Sequence, residues 1–128
     1  MNPKNYTNAA RESIDAGMRL AFDKGHQFLE PVHVLHSMLQ HDNGLTVSIL
    51  TKSDVSVSTI VSTVQSILSG LPQVKRAAGD DDVHASQSFS RFLGRADKEK
   101  TAMGDQFVTV EHFLLALVVD AKDPVGVA

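Results

Sequence analysis

Apolar residues recur at intervals of three and four along most of this chain, which is the spacing of helices that bury one face. The pattern predicts a first helix over residues 5–24, with Thr7 or Asn8 as its cap and Gly25 as its end. The predicted inner face carries small side chains: Ala10, Gly17 and Ala21. Another helix can therefore approach this face closely.

A second helix is predicted to begin at Glu30-Pro31, because proline is tolerated at the first position of a helix. It should stop near residues 42–44, where turn-forming residues cluster. An apolar run follows at residues 45–50. Its β-branched residues favour a strand by propensity, but the run is too short for its period to decide between strand and helix.

The segment at residues 57–68 is rich in β-branched residues, yet its apolar positions follow the helical period rather than an alternation. We predict a helix there, capped by Ser56 and closed by Gly70 and Pro72. Residues 73–85 have few apolar side chains and are predicted to form the longest loop.

Two more helices are predicted in the last third of the chain. One follows Ser86 and ends at Gly104, and its inward residues are Phe89, Phe92, Leu93, Ala96 and Met103. The other begins after a Thr109 cap and is apolar nearly all round over residues 113–119, which predicts a central position in the fold.

An internal repeat emerges when the chain is laid over itself so that Gly25 falls on Gly104. In that register residues 27–35 lie over residues 106–114 without a gap. Each copy consists of a longer helix, a glycine, a Gln-Phe linker and a shorter helix with a histidine near its start.

The two copies, at about residues 5–44 and about residues 84–122, predict one all-α helical bundle with pseudo-twofold symmetry. One unit cannot bury its apolar face alone, so we expect the copies to pack on each other. Phe28 and Phe107 are predicted to lie in related pockets of the shared core, where burial of a phenylalanine contributes about 1.5–3 kcal/mol.

Composition narrows the function classes. The chain has 128 residues, of which 42% are hydrophobic, and this suffices for one domain with its own core. The absence of cysteine excludes disulfides, iron–sulfur clusters, thiolate zinc sites and a cysteine nucleophile. A net charge of −3 gives no reason to expect nucleic acid or an anionic membrane as a partner. Residues 1–24 lack the features of a secretory signal, so the cytoplasm is the expected location.

Four pieces of the sequence, together with the repeat, are similar to one known family: Thr7 with Ala10, residues 25–33, residues 71–74 and residues 104–112. They resemble the N-terminal domain of the ClpB-type heat-shock disaggregases, the Clp N repeat fold. The resemblance covers essentially the whole chain, and the doubled motif is its most specific part.

The resemblance implies a helical domain over residues 1–122, followed at residues 123–128 by the start of a linker toward ATPase modules that use ATP. In the family, this domain binds exposed apolar segments of unfolded or aggregated polypeptides and passes them to those modules. The parent chain is expected to be a homo-hexamer and the isolated domain a monomer. The chain has neither a Gly-x-x-x-x-Gly-Lys-Ser/Thr phosphate loop nor a recognisable catalytic motif, so we expect no cofactor and no enzyme activity in this domain.

The resemblance also implies a set of polar site residues. Three positions tied to chaperone activity in the family correspond to Thr7, Asp105 and Glu111. Each also has a local explanation. Thr7 can cap a helix, the negative charge of Glu111 can interact favourably with a helix dipole, and Asp105 can accept hydrogen bonds from nearby backbone N–H groups. The sharper hypothesis joins the three in one polar cluster that bridges the repeats.

An apolar groove between the first and fifth helices is the family's site for client segments. Its walls in this chain are expected near Ile14, Leu93 and Ala96. Three polar residues stand where related domains carry leucine, which predicts a less apolar groove: Arg95, Glu99 and His112. His112 completes the predicted set of substrate-binding residues.

Two patterns of histidine or aspartate invite a metal interpretation. His33 and His36 share a helix face, but a zinc site needs a third and usually a fourth ligand. We predict instead that His33 and His112 make local bonds or pack between the repeats. The run Asp80–Asp82 is predicted to be a solvated loop, because calcium loops need a longer and spaced ligand pattern.

The function hypothesis has a rival from another class. In that rival, the domain is an adaptor-docking or regulatory module of a Clp ATPase, and the charged surface with Arg95 and Glu99 recognises a folded partner. A small hydrolase with a scattered site is a third alternative.

Overall fold

The computed structural model describes residues 3–41, 44–74 and 83–119, and within these ranges the chain forms six α-helices and two short strands after a 3-10 turn at Pro3–Asn5. In chain order the elements are α1 (Asn8–Asp23), β1 (Phe28–Leu29), α2 (Pro31–His41), α3 (Leu45–Lys52), α4 (Val57–Gly70), β2 (His84–Ala85), α5 (Gln87–Ala102) and α6 (Val110–Val119). The predicted all-α class is confirmed.

The internal repeat is carried by the backbone as well as by the sequence. In the register that places Gly25 on Gly104, α1 and α5 begin and end at matching positions, and α2 and α6 begin at matching positions. Thr7 Oγ1 accepts the N–H three residues ahead at 3.2 Å, and Ser86 Oγ does the same for α5 at 3.0 Å. The two glycines follow the ends of these helices with φ of 71° and 72°, a left-handed conformation that favours glycine.

Reciprocal backbone pairing joins the two repeats. Strands β1 and β2 pair in parallel, and the equivalent contact on the other side of the pseudo-twofold axis is a bridge between Tyr6 and Val108. The Thr7 N–H donates to the carbonyl of Val108 at 3.0 Å, and the Ser86 N–H donates to the carbonyl of Leu29 at 3.2 Å. Each repeat therefore holds the segment that leads into the longer helix of the other.

The core lies between the two helix pairs. Helix α1 packs mainly on α2, and α5 packs mainly on α6, while α2 also contacts α3, α4, α5 and α6. Gly17 permits the close approach of α1 and α2, because a Cβ there would lie 3.2 Å from the carbonyl carbon of His33. Repeat two supplies most of the aromatic packing, with the ring centroids of Phe92 and Phe113 5.2 Å apart.

The prediction that Phe28 and Phe107 are buried in the shared core is wrong. Their exposed fractions are 45% and 47%, whereas the next residues, Leu29 and Val108, are 1% and 0% exposed. The linkers are extended where they pair with the other repeat, and successive side chains of an extended segment point to opposite sides. The two phenylalanines do occupy matched positions, since each precedes the buried residue of a cross-repeat pairing.

Three further expectations need correction. Met103, predicted to face inward at the end of the fifth helix, is 50% exposed. Residues 45–52 form helix α3, so the β-branched residues there do not produce a strand. Helix α6 is not central: Leu115 is 38% exposed, and the central helix is α2. The remaining predicted helices are found within a few residues of their expected bounds, including α4, whose cap Ser56 accepts the N–H of Thr59 at 3.3 Å.

Part of the predicted long loop lies within the described residues. The Val74 N–H donates to the carbonyl of Gly25 at 2.7 Å, and residues 84–85 form β2. Residues 75–82, with the run Asp80–Asp82, lie outside the described residues, as do residues 123–128 of the predicted linker.

Candidate functional site

Thr7 lies at the junction of the two repeats. Its hydroxyl caps α1 and its backbone N–H bonds to Val108 of repeat two. The adjoining Tyr6 ring is 8% exposed, and burial together with the Asp97 carboxylate raises the pKa of Tyr6. Thr7 is half-buried, so it combines the capping role with some accessible surface.

Asp105 and His112 form one contact in repeat two. His112 Nε2 lies 2.9 Å from Asp105 Oδ2, and His112 Nδ1 accepts the backbone N–H of Thr109 at 2.8 Å. His112 is 1% exposed, whereas the Asp105 side chain is 47% exposed. The histidine is thus explained by local bonding at the start of α6, as predicted.

Repeat one has the same arrangement with a different partner. His33 Nδ1 accepts the Glu30 N–H at 2.9 Å, and His33 Nε2 lies 2.8 Å from Nδ1 of His26, the residue that corresponds to Asp105. Burial and the neighbouring His26 and His36 lower the pKa of His33 to about 4. Burial and the Lys24 ammonium also lower the pKa of His26.

The hypothesis of a bridging polar cluster remains a prediction. Among the described residues, the structure records no hydrogen bond or ion pair between any two of Thr7, Asp105 and Glu111. Thr7 contacts Val108, Asp105 contacts His112, and Glu111 is exposed in the first turn of α6. A link between them would therefore run through the backbone of residues 105–112.

The expected walls of a groove between α1 and α5 are mostly inside the core. Ile14 is 4% exposed and Ala96 is 0% exposed, so neither offers its side chain to solvent. Leu93 is partly buried against the same core. The periodic pattern placed all three on inner helix faces, and Ile14 and Ala96 pack there into the core while Leu93 keeps part of its surface exposed. A role of these residues in binding a client remains a prediction.

Arg95 and Glu99 do not simply add charge to that surface. The Arg95 Nε donates to the carbonyl of Ala116 at 3.0 Å, near the C-terminus of α6. A cation at the C-terminal end of a helix interacts favourably with the helix dipole, and its N–H groups can satisfy a terminal carbonyl. Arg95 and Glu99 are both only partly exposed. The bond from Arg95 to Ala116 also joins α5 to α6.

A second apolar surface, which sequence reasoning missed, lies between α3 and α6. It is a groove of about 420 Å³, and its lining residues are Ile49, Leu50, Ser53, Val55, Glu111, Leu114 and Leu115. Glu111 is the one predicted site residue in this groove. The repeat alignment contained a signal for it: apolar Leu115 falls opposite polar His36, although both positions lie toward the outside of their helices.

Another apolar patch lies along α1. Met18 and Phe22 are each 40% exposed and are spaced one helical turn apart, with Asp15, Arg19 and Asp23 around them. The groove that they line, with Val83, measures about 410 Å³. The described residues contain no group of three or more His, Asp or Glu side chains placed to hold a metal ion.

Comparison with known proteins decides the family. A family model described as the Clp repeat (R) N-terminal domain matches residues 5–127. The chain belongs to this family. A curated relative, Chaperone protein ClpB 1 of Parasynechococcus marenigrum (strain WH8102), is 37% identical over 117 residues, which cover 91% of this chain and 13% of that protein. This Clp N-terminal domain therefore spans only a small part of the length of the ClpB proteins that it matches.

Solved structures share the fold. The N-terminal domain of Hsp104 from Candida albicans superposes with a TM-score of 0.78 at 22% identity, over 91% of this chain and 75% of that chain. The N-terminal domain (1-163) of the ClpV1 ATPase from the E. coli EAEC Sci1 T6SS gives a TM-score of 0.77 at 18% identity, over 90% and 68% of the two chains. None of the helices in the described ranges has the length and apolar character needed to cross a membrane.

Proposed function

We propose that this Clp N-terminal domain recruits unfolded or aggregated polypeptides for a ClpB-type disaggregase by binding their exposed apolar segments. The parent protein then carries ATPase modules that use ATP, act as a hexamer and receive the bound chain. Membership of the family and the 37% identity to a ClpB chaperone support this proposal.

The observation that carries the proposal is the groove between α3 and α6. Most of its walls are apolar side chains of Ile49, Leu50, Leu114 and Leu115, and it is open to solvent. Its volume of about 420 Å³ accommodates a few aliphatic side chains, not a folded domain. An exposed apolar concavity of this kind is typical of sites that bind short apolar segments.

Glu111 gives the groove a preference for apolar segments that lie next to a positive charge. Its carboxylate is exposed at the lining of an otherwise apolar concavity, in the first turn of α6. A client segment with an apolar stretch next to a lysine or arginine would complement both features. Thr7, Leu93, Asp105 and His112 then serve by holding α5 and α6 in the frame that presents the groove, and Ile14 and Ala96 serve by filling the core beneath that frame.

Weak binding suits this role. A recruiting domain must release what it captures, and tethering to a motor supplies effective concentration in place of affinity. A small groove on a monomeric surface buries far less area than stable protein complexes do. Dissociation constants in the micromolar range or weaker are the expected outcome.

A matched pair of variants tests the groove. Leu115 and Val61 lie on different helices with almost equal exposure, 38% and 40%, but only Leu115 lines the groove. Leu115→Ser should weaken binding of a permanently unfolded protein, such as reduced and carboxymethylated lactalbumin, by roughly fivefold, because a contact of about 1 kcal/mol is lost. Val61→Ser should leave the affinity unchanged. Equal effects of the two variants in a fluorescence anisotropy titration would remove the groove from the proposal.

The adaptor-docking alternative has one observation in its favour. The outer face of α5 is charged, with Arg91, Asp97 and Lys98 exposed and an ion pair of 3.0 Å between Lys100 and Asp97. A surface of this kind suits a folded partner better than an apolar segment. A double variant, Arg91→Ala with Lys98→Ala, should abolish adaptor binding under this alternative and leave binding of unfolded protein intact under the main proposal.

A further inference from the structure

One buried pair distinguishes repeat one from repeat two. His33 and His112 occupy equivalent positions in the two repeats and are 0% and 1% exposed. The Nδ1 of each ring accepts the backbone N–H of the residue three positions earlier, at the start of its helix. The partner of His33 is another imidazole, His26, whereas the partner of His112 is the carboxylate of Asp105. The two donor–acceptor distances are nearly equal, at 2.8 Å and 2.9 Å.

The backbone determines where the protons of this pair lie. The Glu30 N–H donates to His33 Nδ1, so that nitrogen carries no proton and the neutral ring carries its proton on Nε2. The Nε2–H of His33 must then donate to Nδ1 of His26, which is likewise without a proton. His26 is 2% exposed, so this chain of bonds is shielded from solvent.

An added proton disrupts this series of hydrogen bonds in repeat one. On His26 Nδ1 it would face the Nε2–H of His33 across 2.8 Å, and on His33 Nδ1 it would face the Glu30 N–H across 2.9 Å. Either position loses a hydrogen bond and leaves a buried cation. In repeat two, the Nε2–H of His112 points at a half-exposed carboxylate, which accepts it.

Two ionisable groups around the pair raise the cost of adding a proton: Lys24 at the end of α1 acts on His26, and His36 on α2 acts on His33. His84 lies on β2 beside β1. The Glu30 carboxylate accepts the Ser86 hydroxyl. Helix α4, which packs on α2, carries no ionisable residue.

We propose that the His26–His33 pair is an acid-sensitive latch, which opens the turn between α1 and α2 in repeat one and leaves the matching turn of repeat two closed. The turn holds residues 71–74, through the pairing of His26 with Gln73 and the bond from the Val74 N–H to Gly25. Opening of this turn therefore exposes the side chain of Leu29 and the part of the core against which Leu71 packs. This inference does not depend on the proposed function.

The direction of the pH dependence follows from His33. Its pKa in the folded chain is about 4, below the ordinary value of 6.5, so between these pH values the unfolded or opened chain binds a proton that the closed chain does not. The contribution to stability is complete above about pH 6.5 and is lost as the pH falls toward 4. Burial and Lys24 lower the pKa of His26, which acts in the same direction.

Hydrogen exchange at matched amides tests the latch on the whole chain. The His26 N–H bonds to the carbonyl of Ala21 at 2.8 Å, and the Asp105 N–H bonds to the carbonyl of Lys100 at 3.0 Å in the same turn of repeat two. Each protection factor is already corrected for the intrinsic exchange rate of its amide. Their ratio removes the effect of global unfolding, because global unfolding acts on both amides. Between pH 7 and pH 4.5 we expect the His26 amide to lose protection relative to the Asp105 amide by about tenfold or more. A ratio that stays constant would overturn the latch.

Exchanging the partners provides the control. His26→Asp gives repeat one the partner of repeat two, and the fall of the ratio with acid should disappear. Asp105→His gives repeat two the imidazole pair, and its amide should become the acid-sensitive one. If His26→Asp does not fold, the change with pH of the ratio in the unaltered chain decides. An acid response that neither exchange alters contradicts the proposal.

Discussion

The second helix of each repeat starts from the same frame but meets different surroundings. In repeat one, α2 is packed against α1, α4 and α3, and Val32 is 2% exposed. In repeat two, the residue at the same position is the exposed Glu111, and α6 packs mainly on α5 and α2. Within residues 3–41, 44–74 and 83–119, no helix takes the place over α6 that α4 takes over α2.

The difference separates residues that the fold needs from residues that it does not. Buried positions are apolar or locally bonded in both copies, as at Val34 and Phe113, which are both 0% exposed. Leu115 has no such reason to be apolar, since it is 38% exposed at a position where repeat one has His36. An apolar side chain that packing does not require is the clearest pointer to a binding surface.

The largest effect is expected in the core, at a buried position where the two long helices differ. Phe92 on α5 is 0% exposed, and its counterpart on α1 is Ser13, which is 5% exposed and donates its hydroxyl to the carbonyl of Ala9. Phe92→Ala should lower the free energy of unfolding by about 3–5 kcal/mol, because it leaves a cavity among packed rings. Ser13→Ala should change it by about 1 kcal/mol or less. Urea denaturation measures both, and comparable losses would contradict the asymmetry.

The next effect compares the covered and the open second helix. Val32→Glu would bury a carboxylate without a partner and should cost about 3 kcal/mol of unfolding free energy. The reverse exchange at the matching position, Glu111→Val, removes an exposed charge from the first turn of α6 and should cost less than about 1 kcal/mol. Comparable losses in the two variants, seen by thermal or urea denaturation, would contradict this difference between α2 and α6.

The smallest effect concerns the two caps at the junction. Thr7→Ala removes one capping bond and should cost about 1 kcal/mol, whereas Ser86→Ala also removes the bond to Glu30 and should cost somewhat more. Binding of a permanently unfolded protein by this chain separates the two roles of Thr7. A loss of binding without a fall in melting temperature supports a client contact, and a loss that matches the fall reduces Thr7 to a cap.

Much of the fold could be predicted from local signals. The bounds of α1, α2 and α5 follow from caps, glycines and the helical period, which are properties of a few neighbouring residues. Propensity alone was misleading for α3, where a short β-branched run forms a helix that contacts α2 and α4. The reciprocal pairing of β1 with β2 joins residues far apart in the chain, and no local pattern indicates it.

The candidate site was predictable only in part. The local roles of His33 and His112 follow from their matched spacing, but the partner of each lies seven residues away in a different turn. The buried state of Ile14 and Ala96 and the exposure of Leu115 depend on which helix covers which face. Periodicity gives the apolar side of a helix but does not tell whether a neighbour or a ligand covers it.

The most direct test of the binding surface is an amide shift map of the labelled chain titrated with a permanently unfolded protein. The account predicts that shifts concentrate on Ile49, Leu50, Leu114 and Leu115, with the outer face of α4 around Val61 unaffected. Shifts centred on α4, or shifts that appear with a folded adaptor but not with the unfolded protein, would contradict it.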